Sequence, residues 1–397
     1  MNWIVTELFY PDEVSSALVM TEIAEQIAKS DKVKVICGPM GYEKSYKAQY
    51  KMLSDKIIIN RVNIVKLNKN KLITRVFRFI LLSVKMSIQV LINVKRGDNV
   101  ILVTNPAFLI LTVSVIKFFK KFNLAILIHD VFPENLVPGD ILSLHSWKYK
   151  LIKSVYDSAY RKADKIIVLG TDMEQLMLKK IRYNIPPIEI ITNWADDDTF
   201  PLENFNKSQY LGIDVTDKVV ISFAGNFGRL QGLLEFLSAF NEASNPNLLL
   251  VLIGDGALKS QIVTYIEKEK MSNVVLLGSK PRAEQNLFLN ACDIGLITLK
   301  KGMKGLGVPS KTYNIMAAGK PLLYVGDNQS EIDNYIHEYL CGWSFSIENR
   351  NMLLDFLSNL SLKNKPELLF AGENSLKAAN KFYRKNTVLK KFSDTIY

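Results

Sequence analysis

The sequence predicts an α/β protein with two domains, each built on a parallel sheet covered by helices. The chain has 397 residues, enough for two domains with large cores, and 48% of them are hydrophobic, which excludes general disorder. Near the N-terminus, a strand, a loop, a helix and a second strand follow one another as in a βαβ unit. A second series of this kind starts near Val219. These observations predict two Rossmann-like halves.

The first half begins with an apolar strand over Asn2–Glu7, followed by a loop and a helix over Ala17–Ala28. The loop reads FYPDEVSSA and contains no GxGxxG, so the sequence gives no support to a dinucleotide-dependent oxidoreductase. Ser15 and Ser16 offer hydroxyls and backbone N–H groups to a sugar or a diphosphate. The alternative is that they form an ordinary helix N-cap.

The positive charge of the chain is concentrated in one region. The net charge is +11, and between Lys56 and His129 there are thirteen Lys or Arg residues and one acid, Asp98. A helix predicted over Leu72–Val94 lies in this region, with one polar stripe on an otherwise apolar surface. The stripe consists of Lys71, Arg75, Arg78, Lys85, Gln89 and Asn93.

Cations interrupt this helix too often for it to be expected to span a membrane. It is instead predicted to lie on the surface of an anionic membrane leaflet, attracted by its cations. One alternative is a buried crossover helix with a solvated basic edge. Nucleic acid is a weaker alternative, because the helix lacks base-reading polar side chains. The sequence therefore predicts a membrane partner and no nucleic-acid partner.

His129 is the strongest candidate site residue in the first half. The predicted strand Leu124–Ile128 delivers His129 and Asp130 at its carboxyl end, where ligands of open α/β sheets bind. A structural histidine is the alternative. Glu134 follows in the same loop and is a candidate general base.

The second half begins with the strand Val219–Phe223, followed by AGNFGRLQG. Gly225 and Gly228 let the backbone approach a ligand closely, and Asn226 lies between them. Arg229 adds a positive charge to this turn, which is followed by a helix. The pattern predicts an anion site. The alternative is an ordinary surface arginine.

The segment Gly305–Pro321, GLGVPSKTYNIMAAGKP, predicts a loop, a helix and a following strand. Ser310 stands at the N-cap position, and Gly319 is a natural helix stop. Helix N-termini carry a partial positive charge, and Lys311 adds a full charge in the first turn. The segment therefore predicts a phosphate site. The alternative is an exposed helix start with an incidental lysine.

Cysteine and histidine usage points away from metal and disulfides. There are three cysteines and three histidines, without CxxC spacing or a Cys/His cluster. We expect a reducing, cytoplasmic environment and no structural zinc. The N-terminal residues lack a basic stretch followed by a long apolar run, so no signal peptide is expected.

These motifs resemble the retaining glycosyltransferases of family 4. Gly307–Pro321 looks like their donor-binding segment, and HDVFPE, starting at His129, resembles their H-D-x-W-P motif. The subgroup with PSKTYN includes L-fucosamine transferases of O-antigen and capsule synthesis and colanic-acid fucosyltransferases. The resemblance implies the GT-B architecture, with two Rossmann-like domains facing a cleft.

The resemblance also implies a division of labour along the chain. Residues 1–200 would form the acceptor- and membrane-facing domain, and residues 201–374 the nucleotide-sugar domain. Residues 375–397 would form a C-terminal helix that crosses back to the first domain.

The resemblance assigns roles to individual residues. His129 would face the donor sugar, while Arg229 would be the main diphosphate contact, supported by Lys311. Asn314 stands where most relatives have a ribose-binding glutamate. The other expected contacts are Gly278 and Pro281 for the nucleobase and Ser15, Ser16, Gly225, Asn226, Gly228, Gly307 and Ser310 for sugar and phosphates.

Four departures from the family pattern stand out. Phe132 replaces the tryptophan, and serines 15 and 16 replace glycines. Asn226 and Gln231 replace an arginine and a lysine, and the first glutamate of the family's pair has no counterpart.

The activity implied is retaining transfer of a sugar, of N-acetylfucosamine type, from a nucleoside diphosphate. UDP is favoured over GDP, and no metal or other cofactor is expected. The acceptor would be a sugar linked to polyprenyl diphosphate, used in surface polysaccharide synthesis at the inner face of the plasma membrane. In the implied front-side mechanism the diphosphate itself takes the acceptor proton. Two alternatives are a nucleotide-sugar epimerase of the same architecture and an inactive membrane-bound scaffold.

Overall fold

The computed structural model describes residues 1–40, 52–64 and 72–396. The chain divides into two compact units. Unit 1 comprises Met1–Thr192, Gly305–Gly307 and Val388–Tyr397, and unit 2 comprises Asn193–Lys304 and Val308–Thr387. Each unit contains its own parallel sheet, with helices between most of the successive strands that the structure describes.

Unit 1 contains a seven-stranded parallel sheet. Its elements are β1 (Asn2–Thr6), α1 (Ser15–Ala28), β2 (Val33–Cys37), β3 (Ile57–Arg61), α2 (Leu72–Asn93), β4 (Asn99–Val103), α3 (Leu109–Lys120), β5 (Asn123–Leu127), α4 (Trp147–Tyr160), β6 (Lys165–Val168), α5 (Thr171–Ile181) and β7 (Ile188–Ile190). The strand order is β3-β2-β1-β4-β5-β6-β7. The order reverses at β1, so right-handed crossovers place α1 on one face and α2–α5 on the other.

Unit 2 contains a six-stranded parallel sheet in the order β10-β9-β8-β11-β12-β13. Its elements are α6 (Lys207–Leu211), β8 (Val219–Ala224), α7 (Leu233–Ala243), β9 (Leu248–Ile253), α8 (Lys259–Lys268), β10 (Val274–Gly278), α9 (Gln285–Asn290), β11 (Ile294–Thr298), α10 (Lys311–Ala317), β12 (Leu322–Gly326), α11 (Glu331–Tyr339), β13 (Gly342–Ser346), α12 (Arg350–Asn359) and α13 (Lys365–Phe382). The order reverses at β8, so the carboxyl ends of β8 and β11 flank the switch point.

Both sheets are held by apolar residues buried on both faces, as expected for parallel strands covered by helices. In unit 2, every residue of β9 is buried, and β8 contributes Val219, Ile221 and Phe223 to the core at 0% exposure. The near-continuous apolar runs in the sequence have this cause. The bodies of the strands are buried, so ligands are expected to bind at the loops that follow their carboxyl ends.

The C-terminal tail differs from the single helix predicted over Ser375–Phe392. The structure has α13 and then α14 (Lys385–Ile396), with a break at Tyr383. The Tyr383 carbonyl accepts from Ala195 N at 2.8 Å, and its ring packs 5.1 Å from that of Tyr313. These contacts hold the backbone out of the helix. In unit 1, Ser393 of α14 accepts a hydrogen bond from Gln26 of α1.

One member of the polar stripe predicted on α2, Arg78, does not face solvent. Arg78 is buried, and its Nη1 lies 3.0 Å from Oε1 of Glu7, which directly follows β1. Lys85 is exposed and donates to the Asn63 carbonyl. Lys71 lies outside the described residues, as does the side chain of Arg75. The stripe prediction is wrong at Arg78, because its charge compensates a buried carboxylate.

The composition of α2 also requires a correction. Among the described residues, the stretch Val76–Asn93 is long enough and apolar enough to cross a membrane, as judged by length and composition alone. The expectation that its cations exclude such a helix is therefore wrong. In unit 1, however, Leu82, Met86 and Val90 of α2 are at 0% exposure. One side of α2 thus belongs to the core of the unit.

The Arg78–Glu7 pair yields a stability prediction. Arg78→Gln leaves the Glu7 carboxylate buried without its cation, so the free energy of unfolding should fall by about 3 kcal/mol or more. Lys85→Gln on the same helix is the matched control, with an expected change within about 0.5 kcal/mol because Lys85 is exposed. Urea unfolding monitored by circular dichroism measures both. Equal stability of the two variants would contradict the buried pair.

Candidate functional site

Three turns meet at the carboxyl edge of the unit 2 sheet. Gly225 N, after β8, donates to the Ile253 carbonyl at 2.8 Å. Phe227 N donates to the Asp255 carbonyl, and Gly254 N donates to the Gly278 carbonyl, each at 2.8 Å. The ends of β8, β9 and β10 are thereby joined. The structure thus brings together Gly225 and Gly278, which the sequence placed in separate motifs.

Glycine is required where these turns touch. A Cβ on Gly254 would overlap the Gly225 carbonyl, and one on Gly256 would overlap Asn226 Oδ1. A Cβ on Gly228 would lie 3.1 Å from Asn226 Nδ2. The Asn226 amide therefore lies between two glycine backbones. A side chain at position 228 or 256 would need the space that the Asn226 amide occupies.

Lys311 reaches this edge from α10. Its Nζ lies 3.3 Å from the ring centroid of Phe223 in β8 and 4.0 Å from the position of a Cβ on Gly225. Burial lowers the pKa of the Lys311 ammonium well below its ordinary value. A cation over an aromatic face is stabilised by the ring quadrupole, although less than by water or an anion. The ammonium is thus placed where an anion would relieve its desolvation.

Arg229 lies on the exposed side of the turn after β8. Among the residues that the structure describes, none forms an ion pair or hydrogen bond with its guanidinium. Its exposure leaves the charge able to reach a ligand at this edge. Its assignment as the main diphosphate contact stays a prediction.

Helix α10 begins at Lys311, as predicted, but its cap differs from the prediction. Ser310 stands at the N-cap position, but its backbone is already helical and its side chain makes no capping hydrogen bond. Thr312 Oγ1 instead donates to the Pro309 carbonyl at 2.8 Å. The N-cap role assigned to Ser310 is therefore wrong. The helix has seven residues, so Lys311 contributes more positive charge here than the helix end.

Asn314, predicted to contact the ribose, already accepts a hydrogen bond. Its Oδ1 lies 2.8 Å from Asp196 N. The Asp196 carboxylate in turn accepts from Arg282 at 2.5 Å and from Gln285 at 2.7 Å. A ribose hydroxyl would compete with the Asp196 amide for this oxygen. The ribose role of Asn314 stays a prediction.

Gly278 is the last residue of β10, and Pro281 lies in the segment that follows it. Gly278 has a φ of +65°, and the space where its Cβ would stand is open. Pro281 precedes the 3-10 turn Arg282–Glu284, which carries the Asp196 contact. The open space beside Gly278 leaves room for a planar group, while their nucleobase role stays a prediction.

At the carboxyl edge of the unit 1 sheet, Thr104 Oγ1 accepts from the backbone N–H groups of His129 and Asp130. His129 Nε2 is buried, and no hydrogen-bond partner lies near it among the described residues. Burial lowers the pKa of His129 to about 4 and raises that of Asp130 to about 6. His129 is therefore a neutral imidazole near pH 7, with an available nitrogen.

Gly307, Leu306 and Gly305 pack against this edge as part of unit 1. A Cβ on Gly307 would lie 3.0 Å from the His129 carbonyl. Val131 N donates to the Leu306 carbonyl at 3.1 Å, and Gly305 N donates to Asp172 Oδ2 at 3.0 Å. The structure thus brings together His129 and Gly307, which are far apart in sequence.

Glu134 does not stand free as the sequence suggested for a base. Both of its carboxylate oxygens lie within 2.8 Å of Lys180 Nζ, and Lys153 is 3.4 Å away. Both carboxylate oxygens of Glu134 are thus occupied by the Lys180 ammonium. The structure therefore favours a positioning role for Glu134 in the loop after His129.

Ser15 and Ser16 form the first turn of α1, which starts two residues earlier than predicted. The N-cap is Val14, without a side-chain capping bond, so the N-cap alternative for the two serines is wrong. Their backbone N–H groups belong to the helix end, where partners are not supplied by the helix itself. Contact with a sugar or a diphosphate stays a prediction.

Several residues at these edges were missed. Thr104 directly follows a strand, so the argument that selected His129 would have selected it as well. Glu7 was placed inside the predicted strand Asn2–Glu7, whereas β1 ends at Thr6. Nothing in the sequence marked Phe223 as a site residue, because its contact with Lys311 joins two segments that are distant in sequence. Asp172 was not marked either, since an acid in the first turn of a helix is common.

Among the described parts of the chain, no group of three or more His, Cys, Asp or Glu side chains is arranged to hold a metal ion. Lys311 and Arg229 are two of the basic side chains at the unit 2 edge. Together with the glycine turns, they suit an anionic ligand with several oxygens.

The two parallel Rossmann-type sheets match the GT-B fold of glycosyltransferase structures. Sucrose-phosphate synthase from Thermosynechococcus elongatus superposes with a TM-score of 0.76 at 12% identity, covering 100% of this chain and 98% of its own. WaaG, a glycosyltransferase involved in lipopolysaccharide biosynthesis, gives 0.70 at 15%, covering 100% and 99%. HepE from Anabaena, in complex with UDP, gives 0.70 at 15%, with the same coverage.

The chain belongs to the glycosyl transferases of group 1. The model of that family matches residues 205–382. “Probable glycosyltransferase WbjE” of Pseudomonas aeruginosa is 39% identical over 284 residues, 70% of this chain and 69% of its own. “Putative colanic acid biosynthesis glycosyl transferase WcaI” of Escherichia coli K12 is 24% identical over 176 residues, 41% of this chain and 42% of its own. The comparisons give no support to the epimerase alternative.

The environment of Lys311 yields a prediction on proton uptake. A bound diphosphate favours the ammonium, so it raises the pKa that burial has lowered. Between the lowered pKa and the ordinary lysine value, UDP binding should therefore take up a proton, and its affinity should fall as pH rises. Calorimetry at one pH, in two buffers of different ionisation enthalpy, measures the uptake.

Lys311→Arg is the control, because a guanidinium keeps its proton at all these pH values. Its binding heat should be independent of the buffer. Buffer-independent heat in the unaltered protein, or unchanged uptake in Lys311→Arg, would show that Lys311 is not the group that titrates.

Proposed function

We propose that this glycosyltransferase moves a sugar from a nucleoside diphosphate to a lipid-linked acceptor in bacterial surface polysaccharide synthesis. The observation that carries the proposal is the Lys311 ammonium beside Gly225, at the glycine-rich carboxyl edge of the unit 2 sheet. At this edge a ligand can approach the backbone of the glycine turns and the buried ammonium of Lys311. A diphosphate is the part of a sugar nucleotide that needs both.

The donor is a nucleoside diphosphate sugar, with UDP favoured over GDP. The structure of HepE, one of the similar folds, contains UDP, which supports this choice. The resemblance of PSKTYN to the fucosamine transferases supports a sugar of N-acetylfucosamine type. The WbjE relative, named as a glycosyltransferase, supports the reaction class without naming a sugar.

In the proposed reaction, the bond between the sugar C1 and the oxygen of the β-phosphate breaks. A bond forms between C1 and the acceptor hydroxyl on the same face, so the configuration is retained. The hydroxyl proton passes to an oxygen of the departing diphosphate. Arg229 and Lys311 stabilise the negative charge that develops on this leaving group, which is the main electrostatic requirement of the step.

His129 contributes as a neutral hydrogen-bonding group. With a pKa of about 4 its imidazole is uncharged at neutral pH, so it does not repel an oxocarbenium-like sugar. Its available Nε2 is suited to a sugar hydroxyl. Glu134 is not given the base role, since its carboxylate is bound to Lys180.

The acceptor in this proposal is a sugar on polyprenyl diphosphate, which places the enzyme at the inner face of the plasma membrane. The basic segment between Lys56 and His129 supports attachment to anionic lipid. Three free, buried cysteines fit a reducing cytoplasm.

The function is tested with purified protein, radiolabelled UDP- and GDP-sugars and a membrane lipid extract. We expect label to move from a UDP-sugar into the lipid fraction. Release of free sugar alone, or label that stays on the nucleotide, would contradict transfer to lipid. Digestion of the product with anomer-specific glycosidases then determines whether configuration is retained.

Arg229→Ala should lower the turnover number by about 10²-fold or more, because the leaving diphosphate loses a charged partner. The fold should be unaffected, since Arg229 is exposed. Lys268→Ala is the control, a cation in the same unit whose side chain is 76% exposed. Turnover equal to that of the control would remove Arg229 from the reaction.

A further inference from the structure

Unit 1 has a broad apolar surface on the outer side of three helices. On α2 the exposed residues follow one stripe, at spacings of three or four, that includes Ile80, Val84 and Ile88. The exposed large apolar residues are Val76, Phe77, Ile80, Val84, Ile88, Leu91 and Ile92 on α2, Val115, Phe118 and Phe119 on α3, and Trp147, Leu151 and Val155 on α4. Each helix therefore turns part of its apolar surface away from the core.

These three helices are neighbours in one layer. Ser87 Oγ of α2 lies 2.6 Å from Thr112 Oγ1 of α3. Ser114 Oγ of α3 donates to the Ala159 carbonyl of α4 at 3.2 Å. Helix α3 thus lies between α2 and α4, and the exposed apolar residues of the three form one face, here called the apolar face.

The apolar face carries thirteen large apolar residues that are each at least 40% exposed. A soluble monomer rarely exposes a contiguous apolar patch of more than a few hundred Å². The most exposed members are aromatic: Phe119 at 73%, Phe118 at 71% and Trp147 at 70%. Aromatic side chains are typical of the boundary between lipid headgroups and acyl chains. The face therefore has the composition of a lipid contact.

The charges around the apolar face favour an anionic surface. Lysines adjoin the apolar residues on all three helices: Lys85 on α2, Lys120 at the end of α3 with Lys121 after it, and Lys148 and Lys150 on α4. Helices α2 and α3 contain no acidic residue, and Asp157 of α4 pairs with Lys180. A second copy of the same face would bring like charges together, whereas an anionic leaflet complements them.

We propose that the apolar face of α2, α3 and α4 docks on an anionic membrane leaflet, with Phe118, Phe119 and Trp147 inserted among the lipids. Helix α2 then lies along the surface and does not cross it, because Arg78 and Leu82 hold its inner side in the core. The proposal replaces the basic stripe expected from the sequence with an apolar contact rimmed by lysines. Only the reason for docking, which is access to a lipid-linked acceptor, rests on the proposed function.

The first test measures binding of the intact protein to sedimenting vesicles without nucleotide or acceptor. We expect binding to vesicles of 30 mol% phosphatidylglycerol in phosphatidylcholine, and much weaker binding to phosphatidylcholine alone. Phe118→Ser/Phe119→Ser should reduce binding by about tenfold or more, because two inserted rings are lost. Leu369→Ser/Phe370→Ser is the matched control in unit 2, with residues 59% and 56% exposed, and should bind as the unaltered protein does.

The second test uses Trp147 as a reporter. Of the other tryptophans, Trp3 and Trp194 are buried and Trp343 is partly buried, so a change on lipid binding reports Trp147. We expect its emission to shift to the blue and to be quenched by lipids brominated on their acyl chains. Trp147→Phe should abolish both changes.

Three results on membrane binding would overturn the proposal. They are equal vesicle binding by the two double variants, no quenching of Trp147, and resistance of the bound protein to sodium carbonate extraction, which would indicate a spanning helix. A dimer in sedimentation velocity that Phe118→Ser/Phe119→Ser dissociates would assign the face to a second copy instead. None of these measurements depends on catalysis, so failure of the transfer assay remains a separate outcome.

Discussion

The contact between the Lys311 ammonium and the ring of Phe223 is the interaction on which the interpretation of unit 2 depends. An ammonium taken out of water needs a partner, and the ring face is a weak one. The adjoining Gly225 backbone leaves space for a better one. The glycines at 254 and 256 are required because the neighbouring turns leave no room for a side chain. The glycines therefore allow the turns to pack and also leave the Lys311 side chain beside open backbone.

The alternation of apolar runs and helical patterns sufficed to predict the α/β class and the position of His129 at a strand end. It also sufficed for the glycine turn at Gly225, since a turn after a buried strand is a local feature. Arg78 could not be placed, because its direction depends on Glu7, which lies seventy-one residues earlier. For Ser310, the pattern predicted the helix start correctly, but the cap depends on backbone angles that a sequence does not contain.

The candidate site was predicted in pieces. The sequence identified Gly225, Lys311 and Gly278 as separate motifs. Only the pairing of β8 with β9 and β11, and of β9 with β10, shows that these segments adjoin. Asn314 shows the opposite case, in which a residue chosen for a ligand already binds Asp196. A resemblance supplies the role of a position in a family, whereas the hydrogen bonds of the particular chain decide whether that role is available.

The tripeptide Gly305–Gly307 belongs to unit 1, although the residues before and after it belong to unit 2. Together with the tail after Thr387, it makes the polypeptide change unit four times along its length. Neither unit is therefore encoded by one continuous stretch of the gene. A fragment ending near residue 192 would leave Asp172 and Val131 without the backbone groups that they bind, so dissection of this enzyme into halves requires the intervening glycine segment to be supplied as well.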